Sequence, residues 1–210
     1  MQNLCCFKTI ESSNCTSSSS YTIQVAVALY RRVPISSDPR RRQIYQHEAY
    51  HWGILIITRE NYDYAYDAYD ATDKNEINPN TLRQENPRGD WWFHGRTDVD
   101  PTRSGKFLGY IIIGTLPPEV TRANVGNFLE GVTLPKRNVN PQESCVTWVA
   151  NAIRKFREYQ YVNEFSVDKF LDWALVFADQ RLWDPEETDE AVYYDKETDG
   201  PKTERKKEEE

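Results

Sequence analysis

The chain has 210 residues, 39% of them hydrophobic and 28% charged, with 13 Tyr, 8 Phe and 6 Trp; that suffices for one domain with a core of its own and excludes a wholly disordered chain. Its longest aliphatic runs, Ile54 to Ile57 and Ile111 to Ile113, fall far short of the roughly 18 apolar residues of a membrane-spanning helix, so no membrane partner is expected. The formal charge is -7, but residues 184–210 alone hold 12 acidic and 5 basic residues, which leaves the preceding body neutral and keeps a nucleic-acid partner open.

Residues 1–20 include Ser12, Ser13 and the run Ser17 to Ser20, have almost nothing to bury, and read as a disordered Ser-rich leader. Cys5, Cys6 and Cys15 crowd into it while Cys145 stands alone in the body, which is no disulfide framework; with no export-type leader ahead of them, a reducing, cytoplasmic setting is expected. From Tyr21 to Tyr30, Ile23, Val25, Val27 and Leu29 recur at period two, the pattern of a half-buried strand. Residues 31–49 carry Arg31, Arg32 and Arg40 to Arg42 and read as a basic connection. Tyr50 to Thr58 is apolar on both faces and suits a central strand. Tyr62, Tyr64 and Tyr66 alternate with Asp63, Ala65 and Asp67 in a third strand that reaches about Thr72, and a polar loop follows.

Trp91 to Gly95 and Lys106 to Leu116 are expected as two further strands. The period then changes to that of helices. Pro117-Pro118 opens one that ends near Gly131, and Asn140-Pro141 introduces another running to about Tyr159, with Cys145, Val149, Ala152 and Phe156 on one stripe. Ser166 caps a last helix whose Phe170, Leu171, Ala174, Phe177 and Ala178 face inward. Strands first and helices afterwards predict an α+β domain, with an antiparallel sheet of about five strands followed by three helices packed on one side. The expected organisation is a leader over 1–20, a single catalytic domain over 21–183 and a disordered acidic tail over 184–210.

Three constellations carry possible chemistry. His51 on a strand, Asp70 on the next strand and Cys145 near the start of a helix are the parts of a thiol nucleophile, an imidazole base and an orienting carboxylate. The same residues also have a structural reading, a buried Cys on an apolar stripe, a satisfied strand His and a solvated strand-end Asp. The helix N-terminus helps the thiolate more if Ser144 is the cap than if Asn140 is. His47-Glu48-Ala49-Tyr50-His51 matches the zinc motif H-E-x-x-H by letter, with His94 the remaining histidine, but it runs into strand-like sequence and is set aside: no metal or cofactor is expected. The third constellation is electrostatic. Arg31, Arg32, Arg40, Arg41 and Arg42, with Lys136, Arg137, Arg154, Lys155 and Arg157, could form a phosphate-binding face, and the acids Asp73 and Glu76 near Asp70 suit a guanidinium.

Tyr50-His51-Trp52 opening a strand, Trp92-Phe93-His94, Ile111-Ile112-Ile113-Gly114 and Ser144-Cys145-Val146-Thr147-Trp148-Val149 opening a helix resemble a family of small, mostly uncharacterised fungal proteins. The resemblance covers roughly residues 22–160 and implies a circularly permuted papain-type domain, similar to lecithin:retinol acyltransferases, with His51 and Cys145 at the family's histidine and cysteine. Asp70 falls where a polar residue, often His, stands in that family. Small fungal proteins of this general kind also include arginine-containing cyclodipeptide synthases, and Thr72-Asp73-Lys74-Asn75-Glu76 keeps the second Asp and the Glu of their D-D-x-x-E pattern.

The expectation that follows is aminoacyl transfer in secondary metabolism. The donors would be arginyl-tRNA and a second aminoacyl-tRNA, and the product an arginine-containing cyclic dipeptide. His51 would be the base, Asp70 would orient it, and Cys145 would accept the first acyl group or line the site. Asp73, Glu76, Trp52 and Trp148 would hold the substrate, and the arginines 31, 32 and 40–42 the tRNA. The alternatives are a permuted papain-like cysteine hydrolase or acyltransferase on another acyl donor, and a catalytically inactive binding module.

Overall fold

The computed structural model describes residues 21–60, 63–183, 191–195 and 200–202. Strand β1 (Tyr21–Arg31) lies at the centre of the sheet and pairs antiparallel with β2 (Tyr50–Glu60) along its whole length, from Tyr21 opposite Glu60 to Arg31 opposite Tyr50. Their Val, Ile, Leu and aromatic residues are the types that pack best on a pleated, two-sided surface. β2 continues antiparallel into β3 (Asp63–Thr72) and β3 into β4 (Trp92–Arg96), while β1 pairs on its other side with β5 (Phe107–Thr115). Beyond β5 come β6 (Val192–Asp195), parallel to it, and β7 (Gly200–Lys202), so the order is β4-β3-β2-β1-β5-β6-β7.

Among the described residues four α-helices accompany this sheet: α1 (Pro39–Tyr45), α2 (Arg122–Glu130), α3 (Cys145–Glu158) and α4 (Val167–Trp183). The α+β class agrees with the sequence reading, but among the described residues the sheet is mixed and has seven strands, and the α-helices number four. α1 was hidden because its Pro39-Arg-Arg-Arg-Gln-Ile-Tyr45 run buries no residue; it is held by the Asp38 cap, which accepts from the Arg40 amide, and by Pro39 at its first turn. α2 and α3 begin later than their prolines suggest, at capping boxes formed by Thr121 with Asn124 and by Ser144 with Thr147. A Pro ahead of a helix marks the approach to it, whereas a side chain that satisfies the first amides sets its start.

The tail is the larger correction. Residues 192–195 and 200–202 are strands of the sheet, and Tyr194 packs edge-on against Phe165 and Phe170, with ring centroids 5.1 Å away in each case. The domain therefore does not end at 183, and charge density concealed two short strands. The expected leader over 1–20 and the terminal Lys206 to Glu210 run lie outside the described residues. Among the described residues no helix is long and apolar enough to cross a membrane.

The main core lies between one face of the sheet and the helices, where Val25, Val27, Leu29, Trp52, Ile54, Ile56, Ile111 and Ile113 meet Trp148, Val149, Ile153, Phe156 and Phe170. Alternate residues, Ala26, Ala28, Leu55, Ile57, Ala68 and Ile112, form a second, smaller cluster on the opposite face. His51, Tyr30 and Asp70 share the parity of this second set, and His94 stands opposite Asp70 in the β3–β4 ladder. Alternation alone thus carries a polar group to the face that the helices do not cover.

Candidate active site

His51 is positioned by its neighbours. Tyr50 on one side donates its hydroxyl to Asp179 of α4, and Trp52 on the other donates its indole N–H to the His47 carbonyl at 2.7 Å, so both flanking side chains are pinned toward the helices and His51 is turned the other way. Gly53 is also required, since a Cβ there would stand 2.9 Å from the Tyr69 carbonyl oxygen and 3.4 Å from the Asp70 Cβ. The β2–β3 ladder runs from Glu60 opposite Asp63 to Ile54 opposite Tyr69 and stops there. Past that point side chains replace the backbone: His51 Nε2 lies 2.6 Å from Asp70 Oδ2.

Asp70 has a second imidazole, with His94 Nδ1 3.1 Å from its Oδ1. Burial alone would raise the Asp70 pKa, yet hydrogen bonds from His51 and then His94 outweigh it and hold the carboxyl well below the usual range, as an anion. Burial likewise works against a charged His51. The hydrogen bond to Asp70, followed by the interaction with Cys145, overcomes that penalty and pushes the imidazole up to about 10. With Nε2 committed to Asp70, the ring nitrogen left for Cys145 is Nδ1.

Cys145 is the first residue of α3, directly after the Ser144 cap, and α3 packs on β2 and β3. Cys145 thus stands at a helix N-terminus and beside the His51 imidazole. The residue is only 1% exposed and reaches His51 from the helix side. His51 is also in the wall of a cleft of about 390 Å³, with Asp70 and His94 beside Tyr30, Ala68 and Val99. Burial pushes the Tyr30 phenol up to about 12, so it stays a proton donor there.

Cations dominate the rest of the cleft: Arg31, Arg32, Lys74, Arg96 and Lys106, against the acids Asp70, Glu76 and Asp100. Each acid is already engaged, Asp70 by two histidines, Glu76 by Lys74 at 2.8 Å, and Asp100 by Thr102 and Arg103. Arg32 donates to the Glu48 carbonyl at 2.7 Å. Arg31, Arg96 and Lys106 have no salt-bridge partner among the described residues, and the cleft carries surplus positive charge.

Against these positions the sequence expectations divide. His51, Asp70 and Cys145 come together. Trp52 and Trp148 do not serve as substrate contacts: both are 0% exposed, inside the core, because they fall on the helix-facing parity of β2 and the inner stripe of α3. Asp73 is exposed and outside the cleft, while Glu76 is in its wall but tied to Lys74, so the two do not form an acidic pocket. Arg31 and Arg32 line the cleft; Arg40, Arg41 and Arg42 do not, and Arg42 turns back to the Ser36 carbonyl and Asp179.

The H-E-x-x-H letters straddle a 3-10 turn (Gln46–Ala49) and β2, and His47 faces Asp172 of α4 at 3.1 Å, away from His51. Among the described residues no group of three or more His, Cys, Asp or Glu is placed to hold a metal ion. His94, Arg96 and Lys106 were missed as members of the site. The available signal was the strand after the polar loop, whose register opposite Asp70 only pairing reveals.

Residues 24–207 match the model of a family of unknown function, DUF6914. The chain belongs to that family. Searches of curated proteins and of solved structures return no match. For this DUF6914 member, the site's own geometry therefore carries the functional argument.

Proposed function

We propose that the protein is an acyltransferase in which Cys145 is the nucleophile, His51 its proton partner and Asp70 the group that holds the imidazole. The observation that carries this reading is His51 itself, engaged by an ionised Asp70 through one nitrogen and by Cys145 at the head of α3 through the other. A thiolate attacks an ester carbonyl, the carbon–sulfur bond forms as the carbon–oxygen bond breaks, and the proton held by His51 goes to the departing alkoxide. The surplus cations of the cleft favour a donor whose alcohol part is anionic.

An aminoacyl-tRNA has both properties, being an activated ester on a polyanion. With the motif resemblance, this makes arginine-containing cyclic dipeptide synthesis the specific reaction to test. The purified protein is incubated with a complete pool of charged tRNAs and the small products are read by mass spectrometry, with uncharged tRNA as control. The expected result is a new dehydrated dipeptide containing arginine, absent with Cys145→Ala. No such product from folded protein and intact charged tRNA overturns the synthase.

A second reading keeps the same thiol but another acyl donor. It is favoured by the engagement of Glu76 with Lys74 and the outward placement of Asp73, which leave no acidic pair in the cleft for a guanidinium. Its mark is Cys145-dependent release of an alcohol from simple activated esters without any tRNA.

A further inference from the structure

Asp70 accepts from two imidazoles at once, at 2.6 Å from His51 Nε2 and 3.1 Å from His94 Nδ1. An ionised carboxylate only accepts, so each of those nitrogens carries its hydrogen. In a neutral imidazole the other nitrogen then holds a lone pair. For His51 that atom is taken by Cys145. For His94 it is Nε2, on a ring that lines the cleft, is 20% exposed at its side chain, and is steadied by the Trp92 ring, whose centroid is 4.9 Å away.

Acyl transfer to an amine needs two proton operations, one at the thiol and one at the incoming nucleophile. His51 has both ring nitrogens engaged, Nε2 by Asp70 and Nδ1 by Cys145, so it works at the thiol and has no free nitrogen for an amine in the cleft. The other cleft groups near His94 do not serve: Glu76 is paired with Lys74, Arg96 is a cation, and Tyr30 stays a phenol. We propose that His94 is the general base for the second substrate, an amine bound in the cleft, with Asp70 fixing its tautomer.

The inference rests on the thiol acyl-transfer reading above and adds a residue to it. In the second half-reaction the amine nitrogen attacks the thioester carbonyl, a carbon–nitrogen bond forms and the carbon–sulfur bond breaks. The proton lost by the amine goes to Nε2 of His94, the thiolate departs, and His94 passes that proton through solvent to His51, which gave one up to the first leaving group. The sum is ester plus amine giving amide plus alcohol, with no oxidant and no net proton.

The test separates the two half-reactions with p-nitrophenyl acetate as donor and glycinamide as acceptor, followed by stopped flow. The key variant is His94→Asn, whose side-chain N–H replaces the Nδ1–H bond to Asp70 but supplies no base. The expected result is a p-nitrophenolate burst that is retained, with the amine-dependent steady rate down about a hundredfold or more and so reduced far more than the burst. Steady turnover in His94→Asn near the wild-type rate overturns the role of His94 and leaves the thiol reading standing. Loss of the burst along with turnover also overturns it, since His94 would then act only by positioning His51. A wild type with no burst, or a burst that persists in Cys145→Ala, overturns the thiol reading and this inference with it.

Discussion

Asp70 is the residue on which the site turns, because it is the only described carboxylate shared by two imidazoles. Asp70→Asn keeps the shape but removes the charge. Only the interaction with Cys145 then opposes the burial that works against a charged His51, and a histidine NMR titration is expected to show His51 falling from about 10. Turnover is expected to drop by about two to four orders of magnitude, as when the orienting carboxylate of a catalytic imidazole is neutralised. The same pair makes stability depend on pH. His51 is raised in the folded state, so its contribution is complete below about pH 6.5 and is lost as pH rises through about 10; Asp70 is lowered, so its contribution is lost as pH falls below about 3.8. Thermal melts of the wild type are expected to decline across that upper window, and melts of Asp70→Asn to stay flatter there.

At the scale of elements, two local devices bring the site groups into range. The capping box of Ser144 and Thr147 satisfies the first amides of α3 and fixes where Cys145 sits. Ser144→Ala is expected to cost about 1 kcal/mol in denaturant unfolding and to raise the rate of Cys145 labelling by iodoacetamide as the first turn loosens. Gly53 permits the close approach of β2 and β3 beside His51. In Gly53→Ala the added carbon meets backbone, which no side-chain rotation relieves, so the strands must separate. A loss of about 1–3 kcal/mol is expected, with turnover falling further than stability; normal turnover in a folded Gly53→Ala would remove the tight alignment of His51 and Asp70 from the mechanism. Much at this scale was legible beforehand. The five strands between 21 and 115 and the helices near 122, 145 and 167 follow from hydrophobic period, whereas α1 left no periodic trace because it buries nothing.

For the whole molecule, the acidic C-terminal region is part of the architecture. β6 extends the sheet beyond β5, and Tyr194 joins Phe165, Phe170 and Trp173 over α4. A chain ending at Trp183 exposes the β5 edge and that aromatic cluster. It is expected to melt several degrees lower and to aggregate, and light scattering with thermal denaturation checks this. Tyr194→Ala in the full chain separates the two causes, since it keeps the strand but empties its place in the cluster; about 2 kcal/mol of destabilisation is expected for a half-buried aromatic.

The sequence alone determined the α+β class and the central strands and singled out His51, Asp70 and Cys145 as candidates, because apolar period and residue chemistry are local properties. It pointed to Trp52 and Trp148 for contacts with substrate, and the fold placed both in the core, since a face is assigned only when strand and helix pack. Only the tertiary structure decided that His94 meets Asp70, that Arg96 and Lys106 join the cleft, that Asp73 turns away from it, and that one imidazole touches Asp70 and Cys145 while lining the cleft. Each of those depends on strand register and on which end of a ladder opens. Those are contacts between residues far apart in the chain, and no window along the sequence contains them.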